Sequence, residues 1–294
     1  MALIRPDVLV LAAGGVVGEA WMTGVLRGLT ESTGIDFRRC EYFVGTSAGS
    51  IVAASLAAGR EPRAPTGQAQ HHEAPDGGGA RTPLAGAVAK GMGTLASPLA
   101  GPALAAGAPA GALARRAIFR RVPEGRRSLT QLRNEVERWG SKFDGRLRIC
   151  ALDVESGRRV VFGSPGAPEA EVGQAVEASC AVPGVFRPVV IGGRTYIDGG
   201  AWSISNLDVA PAHRDTHVLC LTVTGGRLEP SPAGLLRAAT RPAVAVETAA
   251  LRRRGAHVKV IAPDAALGTN LLDPRGSEAA LHAGHAQGLR VGAE

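Results

Sequence analysis

Short apolar runs alternate with helical spacing along the first sixty residues. Val8-Leu9-Val10-Leu11 is a continuous apolar run between Asp7 and the glycines at 14, 15 and 18, and it predicts a strand buried on both faces. Ala20, Val25, Leu26 and Leu29 then recur at the spacing of a helix that stops near Gly34. Tyr42-Phe43-Val44 predicts a second strand, running into Gly45-Thr46-Ser47-Ala48-Gly49. Ile51 to Ala58 then reads as a small-residue helix ending at Gly59. Two parallel strands need a crossover, so strand, turn and helix taken twice predict a parallel sheet with helices on its faces.

The pattern breaks down from about 60 to 127. This stretch is rich in Gly, Pro and Ala and has little periodicity, which predicts a flexible or lid-like insertion. Order is expected to resume at Ser128-Leu129-Thr130-Gln131, a capping-box pattern opening a helix to about Trp139. Leu147 to Leu152 and Arg159 to Phe162 read as strands, Ala170 to Ser179 as a helix, and Val189 to Ile197 as a hairpin around Gly192-Gly193. A strand at His217 to Val223 and a helix at Leu235 to Arg254 follow, with Pro242 expected to kink or divide that helix. Val258 to Ile261 and Ser277 to Leu289 supply a last strand and a last helix. The expectation is a single domain over 1–294, a three-layer α/β/α fold around a mainly parallel sheet.

Composition narrows the function classes. The net charge of +7 comes mainly from arginine and favours anionic partners such as lipid headgroups. The densest basic run, Arg252-Arg253-Arg254, reads as a solvated helix face, and nucleic acid is not expected as a partner. Cys40, Cys150, Cys180 and Cys220 lack C-x-x-C spacing and read as reduced core residues of an intracellular protein. No run of about 20 strongly apolar residues predicts a membrane span, and the apolar run near the N-terminus reads as a strand rather than a secretory leader. A cytoplasmic location is therefore expected, with peripheral contact at an anionic membrane surface open to it. The oligomeric state has no signal in the sequence.

Three features carry chemistry. Gly45-Thr46-Ser47-Ala48-Gly49 fits G-x-S-x-G, in which the glycines at 45 and 49 permit a strained elbow that lifts the serine Oγ out of the fold. With 40 glycines in the chain the motif alone says little. Its position between a strand and a helix gives it weight, against the alternative of a turn with a capping serine. The turn from Ala13 to Gly18 offers backbone N–H groups to an anion, either as an oxyanion hole or as a nucleotide-phosphate cradle. The cradle reading lacks a first glycine, and its acidic partner would fall at Asp36. Asp198-Gly199-Gly200 would expose an aspartate at a turn, as a base for Ser47 or as an ordinary turn residue. The late histidines (His213, His217, His257, His282, His285) sit in no recognisable catalytic loop, so a Ser-His-Asp triad lacks its base. No metal site is suggested.

Taken in order, the glycine turn, G-T-S-A-G and D-G-G resemble the patatin-like phospholipase family. Gly24-Val25-Leu26, the run from Ala178 to Phe186 and Asn206 extend the likeness. The resemblance implies a lipid acyl hydrolase of phospholipase A or esterase type in a three-layer fold, needing no metal or cofactor. Its nucleophile would be Ser47, its base Asp198, and its oxyanion hole the backbone amides of Gly14, Gly15 and Val16. The substrate would be a lipid or other acyl ester. Two departures stand out. The family's turn reads G-G-G-x-R/K-G, and here Ala13 replaces the first glycine and Val17 the basic residue. The rival expectation is a catalytically impaired member that binds lipid or a partner protein. Trp21 and Trp202 lie near these motifs, as acyl-pocket lining or as core.

Overall fold

A computed structural model describes residues 3–62, 109–223, 232–265, 267–268 and 270–294. Elements are numbered in chain order among those residues. The strands are β1 (Val8–Leu11), β2 (Tyr42–Thr46), β3 (Leu147–Asp153), β4 (Arg158–Phe162), β5 (Val189–Ile191), β6 (Arg194–Asp198), β7 (His217–Leu221) and β8 (His257–Ile261). The helices are α1 (Gly15–Thr33), α2 (Ala48–Ala57), α3 (Pro109–Phe119), α4 (Thr130–Arg138), α5 (Val172–Ser179), α6 (Pro232–Arg253) and α7 (Ser277–Ala293).

All eight strands join one sheet in the order β5-β6-β3-β2-β1-β7-β8, with β4 paired to β3 off that path. The five strands from β3 to β8 through β1 are parallel. β4 and β6 run antiparallel to β3, and β5 antiparallel to β6. Every residue of β1 is buried, as a central strand covered on both faces requires.

Alternation along the strands sorts the core into layers. Leu9, Leu11, Phe43, Ile149, Leu219 and Leu221 face a large cluster containing residues of α1, α2, α4, α5 and α7. Val8, Val10, Val44, Cys150, Val218 and Cys220 face the opposite side, toward Leu207, Leu251 and Ala256. On that same side Phe119 of α3 packs with Leu152 and Ile197. The mainly parallel, three-layer architecture is therefore as expected. The tightest helix pairing is α1 on α7: a Cβ at Gly24 would lie 2.2 Å from the Leu281 carbonyl oxygen, and one at Gly284 2.3 Å from that of Trp21. All four cysteines are free and buried.

Three local expectations change. Residues 109–119, expected within the insertion, form α3, with Ala112, Arg115 and Phe119 buried; residues 63–108 of that stretch lie outside the described residues. Ser128 does not head a capping box, since Leu129 occupies the cap position of α4 and the Ser128 Oγ accepts from the Thr130 N–H at 3.1 Å. A box-type contact occurs instead at α5, where the Gln174 Oε1 accepts from the Glu171 N–H at 3.0 Å. Helix α6 also runs undivided across Pro242, whose side is exposed, so the carbonyl deprived of its partner can turn toward water.

Candidate active site

Ser47 follows β2 directly and has φ 51° and ψ −125°, a conformation that costs a non-glycine residue of order 1–3 kcal/mol. The turn is held by volume. A Cβ at Gly45 would lie 2.5 Å from the Ser50 Cα, and one at Gly49 2.1 Å from the Leu11 carbonyl oxygen. Only glycine lets α2 start this close to β2 and to the end of β1. Hydrogen bonds finish the job: the Ser47 N–H donates to the Ser179 Oγ at 2.8 Å, and Ser179 donates to the Cys150 carbonyl at 2.7 Å. The Ser50 hydroxyl donates to the Ser47 carbonyl at 2.6 Å. Ser47 occupies the cap position of α2, yet its side chain makes no cap hydrogen bond. The capping-serine reading fails on that point.

The Ser47 hydroxyl lies close enough to the Asp198 carboxylate to act on it as a hydrogen-bonding neighbour that lowers its pKa. The two residues end or follow buried strands and are 6 % and 5 % exposed. Asp198 Oδ1 also accepts from the Gly200 N–H at 2.7 Å. Burial is the largest influence on this carboxyl and raises its pKa from 3.8 to about 6, against the lowering effect of the bonds from Ser47 and Gly200. The aspartate is thus a group that changes charge close to neutrality.

The glycine turn lies against both segments. Ala13 donates its N–H to the Ile204 carbonyl at 2.8 Å, and a Cβ at Gly200 would lie 3.3 Å from that of Ala13. Gly15 has φ 59°, and a Cβ there would lie 2.5 Å from the Leu271 carbonyl oxygen. Among the described residues, none accepts a hydrogen bond from the N–H groups of Gly14, Gly15 or Val16, which open α1. The Val17 N–H is taken up, at 3.1 Å, by the Leu271 carbonyl. Val17 itself is buried in the main core. The turn is therefore fastened by a backbone bond and apolar packing at the position of the family's basic residue. The phosphate-cradle reading loses its acidic partner, because Asp36 accepts from the Arg38 N–H at 3.0 Å and pairs with the Arg38 guanidinium.

Asn206 is a residue for which the sequence suggested no role. It is fully buried in a left-handed conformation, φ 47° and ψ 34°. Its Nδ2 donates to the Thr46 Oγ1 at 3.0 Å, the Ser203 carbonyl at 2.6 Å and, more weakly, the Gly199 carbonyl at 3.4 Å. Arg159 donates to its Oδ1 at 3.0 Å and pairs bidentately with Asp208 at 2.6 and 2.8 Å. One side chain thereby ties the residue before Ser47 to the residue after Asp198. Nearby, Glu247 accepts from Ser203 at 2.6 Å, Ser205 at 2.5 Å and the Leu207 N–H at 2.9 Å, and burial raises its pKa. No local motif marks Arg159 or Glu247; their only signal is a charge among apolar neighbours.

Other candidates lie apart. Trp21 is buried and donates to the Gln287 Oε1 at 3.1 Å, so it belongs to the α1–α7 contact. Trp202 stacks under the Arg115 guanidinium, 3.8 Å from its ring centroid. His217 and His257 stack on each other at 4.8 Å, and His285 contacts Glu31 at 2.8 Å. Among the described residues no group of three or more His, Cys, Asp or Glu could hold a metal ion, and no helix is long and apolar enough to cross a membrane.

A family model described as patatin-like phospholipase matches residues 9–70 and 129–213, half of the chain. Among solved structures, VipD from Legionella pneumophila is 14 % identical with a TM-score of 0.49, the match covering 99 % of this chain and 67 % of that one. The type III effector protein ExoU is 15 % identical with a TM-score of 0.42, covering 99 % and 53 %. The chain thus spans about two thirds and about half of the lengths of these two proteins. No curated protein matches.

Proposed function

We propose that this chain, which belongs to the patatin-like phospholipase family, is a lipid acyl hydrolase whose Ser47 and Asp198 act as nucleophile and base. The observation that carries this reading is a serine on a strained elbow whose hydroxyl acts on a buried carboxylate, Asp198, raised to a pKa of about 6. Above that pH Asp198 is ionised and can accept the hydroxyl proton. As the proton moves to Asp198, Ser47 Oγ bonds to the ester carbonyl carbon, and the carbonyl oxygen becomes an oxyanion. The unengaged amides of Gly14, Gly15 and Val16 are the donors for that charge, each contributing about 3–4 kcal/mol by analogy with measured oxyanion holes. Collapse breaks the ester C–O bond, and Asp198 returns its proton to the leaving alcohol. Water then attacks the acyl-Ser47 ester as Asp198 again takes the proton; collapse breaks the bond to Ser47 Oγ, Asp198 returns the proton to that oxygen, and the fatty acid leaves.

A fluorophosphonate probe tests this directly. Wild type is expected to be labelled at Ser47 and Ser47→Ala to remain unlabelled, while kcat/KM on a soluble short-chain ester rises with pH through about 6. Folded wild-type protein that is neither labelled nor active would leave a non-catalytic binder of lipid or protein as the reading.

A further inference from the structure

Some arginines elsewhere in the molecule pair with carboxylates, while others, such as Arg39, Arg158 and Arg254, are exposed without an ion pair among the described residues. Arg38, Arg133, Arg146, Arg159, Arg275 and Arg290 each pair with a carboxylate. In the region of α3 and the loop after it the unpaired arginines cluster. Arg116, Arg120, Arg121, Arg126 and Arg127 are all exposed, and none has an ion pair among the described residues. A sixth exposed arginine joins them, because Arg187 donates its N–H to the Arg127 carbonyl at 2.9 Å. The one carboxylate in 116–127 is Glu124. Within these residues six guanidiniums stand against one carboxylate, a local net of +5.

The face also has an apolar component. On α3, Leu113 is 63 % exposed, and Arg116, Ala117 and Arg120 follow it at helical spacing on the outward side. The inward side is Ala112, Arg115 and Phe119, all buried. That inward side reaches the active-site frame, with Arg115 stacked on Trp202 and Phe119 packed on Ile197, the residue before Asp198. The loop behaves likewise. Residues 125–127 lie along Val185 to Arg187, where a Cβ at Gly125 would lie 2.2 Å from the Val185 carbonyl carbon. That strip continues the segment holding Ser179 and Ala181, which bond to Ser47 and Asp198.

We propose that the outward side of α3 and the Arg121–Arg127 loop is a docking surface for an anionic lipid bilayer. The guanidiniums suit phosphate and carboxylate headgroups bidentately, and Leu113 suits the headgroup–acyl boundary. Single-stranded nucleic acid fits less well, since the outward side of α3 offers no aromatic ring for a base to stack on, Phe119 being buried. The proposal deepens the lipid-hydrolase reading and rests on it for the substrate delivered, but docking and chemistry can fail separately.

The test is sedimentation of the full chain with phosphatidylcholine vesicles, with and without phosphatidylserine. Arg116→Glu/Arg120→Glu is compared with Arg253→Glu/Arg254→Glu, a pair of equal charge change on another exposed run. Each basic residue near an anionic surface contributes about fivefold to partitioning. The α3 pair is therefore expected to lower binding to the anionic vesicles by at least about tenfold, and the control pair by much less. Leu113→Ser should cause a smaller loss that persists at high salt. Both charge variants should keep wild-type fluorophosphonate labelling and soluble-ester hydrolysis. Equal loss from the two pairs, or unaltered vesicle binding by the α3 pair, overturns the proposal. So does a single-stranded polynucleotide that binds as tightly as the vesicles and is weakened by the same two substitutions. Vesicle binding without labelling would sink the hydrolase reading alone.

Discussion

Ser47 and Asp198 meet at the same point from opposite kinds of support. The elbow is a steric device: Gly45 and Gly49 leave no room for a methyl group, and the backbone at Ser47 is held at positive φ. The aspartate turn is held mainly by polar side chains, with Asn206, Ser203, Ser205, Glu247 and Arg159 bonded around it. Close packing fixes a nucleophile without changing its charge. A buried polar frame fixes a base and at the same time sets its pKa, because the burial that orders it also resists its ionisation. The two supports should therefore break differently.

The largest stability effect is expected at the elbow. Gly49→Ala would put a methyl 2.1 Å from the Leu11 carbonyl oxygen and 2.7 Å from that of Ala12, backbone atoms that cannot swing aside. Overpacking against backbone should cost about 3 kcal/mol, read as a lower midpoint in urea, and abolish labelling of Ser47. On the aspartate side, a Cβ at Gly200 would meet the Asp198 Oδ1 at 2.9 Å, an atom that can move. Gly200→Ala is expected to slow labelling at a smaller loss of stability. Equal destabilisation by the two substitutions would erase the contrast.

Asp198→Asn separates position from charge. The carboxyl's folded pKa of about 6 lies above the unfolded 3.8, so the folded state binds the proton more tightly. Stability is therefore full below about pH 4, declines as pH rises through that window, and carries the whole penalty above 6. The asparagine variant escapes it. It should be more stable than wild type at pH 8, by at most about 3 kcal/mol, with the difference vanishing near pH 4. Hydrolysis should fall by about 10⁴-fold, the scale seen when a catalytic aspartate becomes asparagine. Thermal melts across pH check the sign, and a variant less stable at pH 8 than at pH 4 relative to wild type refutes it.

The difference between the supports also explains what the sequence disclosed. Glycines flanking Ser47 and following Asp198 act on residues next to them, so both candidate positions stand out in short motifs, as does the strand–helix order that brings their segments together. Asn206 was visible as a residue but not as a clamp, because its partner Thr46 is 160 positions away. Glu247 reaches Ser203, Ser205 and Leu207 from a helix whose pattern read only as apolar and basic. Helix α3 escaped for a related reason: its buried side includes Arg115, which a pattern of hydrophobic positions assigns to solvent, and which is held by the stack on Trp202 and by its Nε–H donating to the Gly157 carbonyl at 3.0 Å. The Ser128 cap was misread because Ser128 bonds the N–H two residues on, a local turn competing with the helix start.

The finest probe of the comparison is the clamp itself. Asn206→Ala removes the donor to Thr46, Gly199 and Ser203 and leaves the Arg159 guanidinium with Asp208 alone. Buried acceptors without a donor cost about 1–2 kcal/mol, so the protein should remain folded at room temperature. The informative readout is the pH profile. Within the Ser47–Asp198 pair, the serine hydrogen bond holds the Asp198 pKa down. If the clamp keeps the two groups in register, loosening it weakens that bond, and the acid limb of kcat/KM should move upward from about 6 while kcat falls roughly tenfold, equivalent to about 1.4 kcal/mol. Thr46→Val removes only one of the three acceptors and should shift the limb in the same direction by less. The double variant should then add little to Asn206→Ala, since both act on one contact. A limb that stays at its wild-type pH in all three, with activity falling only in step with the folded fraction, would make Asn206 a packing residue and leave the aspartate turn as self-supporting as the elbow.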